Sequence, residues 1–117
     1  YCCIYRHTSL LPKYKGLLPV FHSLKNNEKK FGVSFHVMTD KLDVGKILVQ
    51  KKIQIKKKDS LMDLYQKSFI DSENLIDKSI DNFLKNSFVK NKYEDTYNSW
   101  PNKIDWKKFR KNKKRFI

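Results

Sequence analysis

Two segments that alternate apolar and polar residues, separated by a polar turn, most restrict how this chain can fold. Residues 32–38 and 46–55 have this period of two and contain β-favouring side chains, so they predict two strands that pair across the turn. Residues 2–5 are typical of the end of a buried strand. Residues 17–27 predict a short helix, with Pro19 in its first turn, where the missing N–H costs nothing. Strands and helices that alternate in this way predict an α/β fold.

A later segment has the period of a helix. Ser60 and Asp63 have the spacing of a capping box, the pattern with which many helices begin. The apolar residues that follow recur mostly at intervals of three to five, as on one face of a helix: Leu61, Leu64, Tyr65, Phe69, Leu75, Ile76, Ile80, Phe83 and Leu84. We predict one long amphipathic helix over residues 60–86, bent near Asp71, with this stripe in the core.

The C-terminal part of the chain has a weaker pattern. Residues 87–101 predict irregular structure, and residues 102–112 predict a short helix. We therefore divide the chain into residues 1–86, which carry the strand pair and the long helix, and a basic tail over residues 87–117 with its short helix.

The chain is strongly basic, with 26 Lys and Arg against 12 Asp and Glu and a net charge of +14. Such a field attracts nucleic acid. However, only three of these residues are Arg, and nine Asn, nine Ile and no Ala accompany them. This composition is typical of AT-rich coding sequence, so it explains much of the lysine excess. Two interpretations of the basic tail stay open. In one, the tail binds tRNA or another anion. In the other, its helix packs Trp106 and Phe109 inward and the basic residues, including Arg110, only face solvent.

Several other classes are disfavoured by the sequence. No apolar run approaches the ~20 residues of a membrane span, and no secretory signal pattern occurs, so we expect a cytoplasmic protein without membrane contact. Cys2 and Cys3 are adjacent, and neighbouring cysteines rarely form a disulfide. No second cysteine pair completes a zinc site, so we expect no metal.

One stretch carries chemistry. From His7 to Gly16 the chain reads His-Thr-Ser-Leu-Leu-Pro-Lys-Tyr-Lys-Gly, and further blocks follow in order: Gly-Leu-Leu-Pro to Pro19, Gly-Val-Ser-Phe-His to His36, and Leu-Asp-Val-Gly-Lys-Ile-Leu from Leu42. This series resembles the signature of the folate-dependent formyltransferases. The resemblance extends over about residues 4–85. It implies the C-terminal half of a Rossmann-like catalytic domain, with a strand pair, a long helix and an incomplete sheet.

The resemblance also implies roles for individual residues. His7 and Asp43 fall on the family's catalytic histidine and aspartate, and His36 and Tyr5 lie behind them as supporting residues. Tyr5 stands where the family has a catalytic Asn. The resemblance also implies a loop that contacts substrate and folate, made of Ser9, Leu10, Leu11, Pro12 and Gly16. In the family this loop has a cis peptide bond before its proline, so we expect one between Leu11 and Pro12. His7 and Asp43 are expected to approach each other in the fold.

The formyl donor that the resemblance implies is 10-formyltetrahydrofolate, and the acceptor is an amine. The methionyl-tRNA branch fits best, with initiator tRNA as the partner, and an amino sugar nucleotide or glycinamide ribonucleotide remains an alternative acceptor. A catalytically inactive, truncated remnant is a further alternative, because Tyr5 replaces the Asn and most of the family's parallel sheet precedes the matched region. An incomplete sheet exposes an edge and an apolar face, which favours self-association.

Overall fold

The computed structural model describes residues 2–41 and 43–117, so Tyr1 and Leu42, the first residue of the Leu-Asp-Val-Gly block, lie outside the described residues. The described residues contain five strands: β1 Ile4–His7, β2 Lys15–Gly16, β3 Lys30–Val37, β4 Ile47–Gln54 and β5 Tyr97–Asn98. The same residues contain four helices: α1 Pro19–Lys25, α2 Leu61–Ser72, α3 Leu75–Leu84 and α4 Lys103–Lys111. None of these four helices is long and apolar enough to cross a membrane.

Three strands form an antiparallel sheet in the order β1-β3-β4. The predicted pair is confirmed as β3 and β4, joined through the turn that holds Asp43. Residues 31–36 of β3 are buried on both faces. Phe31, Val33 and Phe35 belong to the hydrophobic core with α1 and α2, while Ser34 hydrogen-bonds the His7–Gly16 loop on the opposite face. The loop therefore rests directly on the central strand.

The first strand differs from its prediction. It runs from Ile4 to His7 rather than over residues 2–5, because its pairing with β3 continues until His7 lies opposite Ser34. It is an edge strand, half-exposed over most of its length, and Cys2 and Cys3 precede it as exposed free thiols. The expectation of a buried strand with cysteines in it was wrong.

The single long helix is wrong as well. The structure has two helices, α2 and α3, separated at residues 73–74, although the predicted capping box of Ser60 and Asp63 is present. Only the start of the apolar stripe, around Leu61 and Leu64, lies in the core, and Ile76 and Ile80 on α3 are 52% and 45% exposed. Two apolar cavities of about 390 and 550 Å³ open between β1 and these helices. The predicted uncovered apolar face is confirmed there.

The C-terminal helix α4 packs onto α1. Phe109 is buried and stacks on Phe21 with 4.7 Å between ring centroids, and Trp106 lies 4.8 Å from the same ring. The helix and its inward aromatic face are as predicted. The segment before it, expected to be irregular, contributes β5, which pairs in parallel with β2 and so joins the tail to the His7–Gly16 loop.

Candidate active site

His7 and Asp43 meet although 36 positions separate them in the sequence. His7 ends β1, and Asp43 lies in the turn between β3 and β4 with a positive φ of 55°. The distance from His7 Nδ1 to Asp43 Oδ1 is 3.3 Å, and both side chains are buried. The structure therefore brings together the two residues that the sequence singled out.

The second ring nitrogen of His7 is engaged as well. Its Nε2 lies 2.8 Å from the backbone carbonyl oxygen of Tyr14. Each nitrogen of His7 thus faces an oxygen that only accepts hydrogen bonds, Asp43 Oδ1 on one side and Tyr14 O on the other. A ring protonated on both nitrogens satisfies both contacts, whereas a neutral ring leaves a lone pair facing an acceptor.

Backbone geometry holds Asp43 in place. Its Oδ2 accepts a hydrogen bond of 2.8 Å from the amide of Gly16, which has a φ of 98° that favours glycine. Gly45, two residues after Asp43, approaches β3 so closely that a Cβ there would lie 1.6 Å from the carbonyl oxygen of Val37. A side chain would therefore be strained at Gly16 and would clash at Gly45, so both positions favour glycine.

The predicted substrate loop is tightly anchored from within. Ser9 is fully buried, and its hydroxyl donates a 2.6 Å hydrogen bond to a carbonyl of the same loop. Leu10 and Leu11 are also buried, and the Leu11–Pro12 peptide bond is cis, as the resemblance implied. The Ser9 hydroxyl and the two leucine side chains thus stabilise the loop, while Pro12 lies at its surface beside Asp43.

Two residues that the sequence did not single out fasten this loop to the sheet. Ser34 donates to the carbonyl of Ser9 and accepts from the amide of Leu11, at 2.6 and 3.1 Å. The Gln50 amide group donates to the carbonyl of Leu11 at 2.8 Å and to the Ser34 hydroxyl at 2.9 Å. A polar residue within the apolar run of each of two adjacent strands, fully buried at Ser34 and partly buried at Gln50, is the sequence signal that would have identified them.

His36 and Tyr5 lie next to the pair. His36 Nδ1 is 3.2 Å from the carbonyl of Val37, while its Nε2 is 3.8 Å from Asp43 Oδ1 and has no hydrogen-bond partner among the described residues. Burial lowers the pKa of His36, so its ring is neutral at pH 7. Tyr5 pairs with His36 across the ladder, and their ring centroids are 5.6 Å apart.

A crevice of about 90 Å³ reaches Asp43 from the surface, between Pro12 and Lys15 on one side and Val44 and Gly45 on the other. A pocket for a drug-sized ligand has a volume of roughly 300–1,000 Å³. The crevice therefore has room for the reacting end of a larger molecule but not for the whole of it. No group of three His, Cys, Asp or Glu in residues 2–41 and 43–117 is arranged to hold a metal ion.

Comparison with known proteins assigns this arrangement to a family. Residues 2–77 match the family model described as formyl transferase. The chain belongs to the formyl transferase family. The fold agrees, because the chain superimposes on the N-formyltransferase from Helicobacter canadensis, solved with folinic acid and dTDP-3-aminofucose, with a TM-score of 0.72 and 30% identity over 87% of this chain and 38% of that one.

Curated formyl transferase relatives have different acceptors or roles in their names. The chain is 39% identical over 107 residues to the bifunctional polymyxin resistance protein ArnA of Wigglesworthia glossinidia brevipalpis, covering 86% of this chain and 16% of that protein. It is 41% identical over 83 residues to the methionyl-tRNA formyltransferase of Thermodesulfovibrio yellowstonii, covering 71% and 27%. The chain thus spans less than a third of the length of these two relatives.

Proposed function

We propose that this chain carries the reaction centre of a formyltransferase that moves a formyl group from 10-formyltetrahydrofolate to an amine. The observation that supports the proposal most is the buried contact of 3.3 Å between His7 and Asp43, formed by the residues that fall on the family's catalytic positions. A His7 ring that carries a hydrogen on both nitrogens would satisfy both of its contacts and place a positive charge beside the carboxylate.

The chemistry needs such a charge. The amine nitrogen bonds to the formyl carbon, the carbonyl oxygen becomes an oxyanion, and the bond from that carbon to the folate nitrogen then breaks. A doubly protonated His7 stabilises the developing negative charge, and Asp43 orients the ring through the contact at Nδ1. One proton leaves the attacking amine and one is delivered to the departing folate nitrogen, so the exchange balances.

The donor assignment rests on the family and on the shape of the site. A similar solved structure contains folinic acid, a formylated folate. The crevice beside Asp43 has room for a formyl group and the atoms next to it, and its walls of Pro12 and Val44 are apolar at the surface. Pro12, Val44 and Gly45 would line the reacting end of the folate, and the rest of it would extend beyond the described crevice.

Two acceptors follow from the relatives. Methionyl-tRNA is the first candidate, because several relatives that match most of this chain are methionyl-tRNA formyltransferases. An amino sugar nucleotide is the second, because two solved sugar N-formyltransferases match 82% and 84% of this chain at 31% identity, and an N-formyltransferase solved with dTDP-3-aminofucose matches 87% at 30% identity. Both acceptors present a primary amine on a phosphorylated carrier.

The experiment combines the chain with 10-formyltetrahydrofolate and each acceptor, and follows the release of tetrahydrofolate and the formylated product. His7→Gln and Asp43→Asn are compared with Asp40→Asn, which removes a carboxylate from an exposed position of the same turn. We expect the first two variants to lose about 10²–10³ in rate, because His7→Gln removes the group that stabilises the oxyanion and Asp43→Asn removes the carboxylate that orients it, and we expect the control to keep the wild-type rate. Equal rates in all four proteins would contradict the proposal.

An inactive chain is the competing candidate, and Tyr5 favours it. The family has an Asn at this position, and Tyr5 is instead packed against His36 and 45% exposed. The variant Tyr5→Asn discriminates between the two. A gain in rate of tenfold or more indicates a working site that lacks one donor, whereas no turnover with either residue and either acceptor indicates a non-catalytic chain.

A further inference from the structure

Tyr14 is held more firmly than its place in a surface loop requires. It has a φ of 58°, a left-handed conformation that is costly for a residue with a side chain. Its amide donates a 2.8 Å hydrogen bond to the Thr96 hydroxyl, and its ring is buried. An unfavourable backbone conformation persists only where surrounding contacts impose it, so the contacts of Tyr14 fix its backbone in this conformation.

The phenol of Tyr14 has two partners. It donates to Glu28 Oε1 at 2.8 Å and accepts from Asn26 Nδ2 at 2.9 Å. Burial raises the pKa of Tyr14, so the hydroxyl keeps its proton and remains a donor at any physiological pH. Glu28 also forms an ion pair with Lys13 at 2.7 Å. Glu28 thus fixes one end of Tyr14 while Thr96 fixes the other.

The carbonyl of Tyr14 is the acceptor for His7 Nε2. We propose that Tyr14 is a positioning residue for His7, and that Glu28 is the anchor that keeps the Tyr14 carbonyl aimed at the imidazole. The proposal deepens the proposed function and rests on it for its catalytic meaning, but the positioning itself is a property of the unliganded protein.

The contact determines which nitrogen of His7 exchanges a proton. Tyr14 O can only accept, so His7 Nε2 carries a hydrogen for as long as the contact lasts. Gain or loss of the second proton then takes place at Nδ1, next to Asp43 Oδ1. Without the anchor, the ring is free to rotate or to adopt the opposite tautomer, and the carboxylate no longer faces a defined nitrogen.

The test is a long-range ¹H–¹⁵N NMR experiment on the full chain without folate or acceptor, which reads the protonation of both His7 nitrogens. In the wild type we expect a protonated Nε2 whose hydrogen exchanges slowly with water. Glu28→Ala and Tyr14→Phe should speed that exchange at least tenfold. Glu28→Gln, which still accepts from the phenol, should restore slow exchange. Lys13→Met removes the ion pair with Glu28 and the ammonium 5.4 Å from the Tyr14 ring centroid, but it keeps both hydrogen bonds of the phenol. It is therefore the control, with wild-type exchange expected.

The outcomes separate the two proposals. The positioning role would be overturned if the hydrogen on His7 Nε2 still exchanged slowly in Tyr14→Phe and Glu28→Ala while the amides of β3 and β4 stayed protected as in the wild type. A variant that loses protection of these strands has unfolded. The comparison then rests on Glu28→Gln and Lys13→Met, and fast exchange of the Nε2 hydrogen in Glu28→Gln would also overturn the positioning role. Correct NMR behaviour without formyl transfer by any of the proteins would reject the proposed function and leave the positioning intact.

Discussion

Lys25 on α1 and Asp105 on α4 form an ion pair, with 2.8 Å between Nζ and Oδ1, where the two helices cross. The ammonium group also lies 3.1 Å from His22 Nδ1, and the other nitrogen of that ring lies 3.1 Å from the carbonyl of Ser99. The hydrogen bond from Lys25 is the largest cause of a lowered pKa for Asp105. This polar chain joins the C-terminal helix to the body next to the aromatic stack of Phe21 and Phe109.

We expect Lys25→Met to lower the free energy of unfolding by about 1.5–3 kcal/mol, the usual contribution of hydrogen bonds to charged groups. Urea denaturation at pH 7 measures it, with Lys107→Met, an exposed position on α4, as a control expected to stay within about 0.5 kcal/mol. Because the pKa of Asp105 is lowered in the folded state, the contribution is present above the usual aspartate value of 3.8 and is lost as the pH falls through the folded value. Equal stability of the two variants would contradict the pairing.

Acid should weaken the fold before any carboxylate titrates. Burial lowers the pKa of His36 and of His22 below the usual value of 6.5, so below that pH the unfolded chain takes up protons that the folded chain does not. Stability therefore falls as the pH drops from 6.5 towards the folded values, by at most about 1.4 kcal/mol per pH unit for each histidine. Urea unfolding at pH 7.5 and 5.5 measures the slope, and His36→Asn should reduce it.

The uncovered face should drive self-association of the isolated chain. Ile80 lines the larger apolar cavity on that face, whereas Leu84 is exposed on the same helix outside both cavities. Sedimentation velocity should give a concentration-dependent coefficient that Ile80→Lys abolishes and Leu84→Lys leaves nearly unchanged. Added salt should strengthen association because it screens the repulsion between chains of charge +14. A monomer at every concentration and salt would disprove this expectation.

Gly45→Ala should disturb the turn that positions Asp43. A Cβ at 1.6 Å from the Val37 carbonyl oxygen requires the backbone to move. We expect a loss of about 1–3 kcal/mol in thermal or urea unfolding, as for other buried steric conflicts. Val44→Ala changes the exposed neighbouring residue and should cost much less. If both variants melt alike, the close approach of Gly45 is unimportant for the turn.

The lysines of α4 should contribute little to RNA binding. The helix directs Phe109 and Trp106 inward, so Lys107 and Lys111 are left on its solvent face, as expected for a merely hydrophilic surface. Replacing both with Glu should change affinity for tRNA less than threefold at either of two salt concentrations. A tenfold loss with a flatter salt dependence would instead identify the tail as a phosphate contact.

Local patterns predicted the elements that form from neighbouring residues. The β3–β4 pair, the capping box at Ser60 and the helix over residues 103–111 followed from alternation, cap spacing and helical periodicity. The break between α2 and α3 did not follow, because the apolar stripe continues across it. Ile76 and Ile80 were predicted to lie in the core but are exposed, because periodicity identifies an apolar face and not whether another element covers it.

In the candidate site, too, some residues were predicted from local patterns and others were missed. His7, Asp43 and the loop came from motif blocks, and the structure brought them together. Tyr14, Ser34 and Gln50 were missed because their importance lies in contacts with residues that are distant in sequence. Tyr14 contacts His7 through its backbone carbonyl, and the phenol contacts that hold this carbonyl join residues 12 and 14 positions away, so local pattern does not identify them.

The pairing of β2 with β5 has a consequence for the order in which the chain is made. The loop after His7 is held by backbone bonds from Lys15 to Thr96 and from Leu17 to Asn98, at 2.9 Å each. During synthesis from the N-terminus, His7 and its loop leave the ribosome about 90 residues before the residues that fix the loop's second edge. The complete loop therefore assembles only after residues 96–98 have left the ribosome, and a nascent chain stalled before residue 96 would hold its histidine in a half-supported loop.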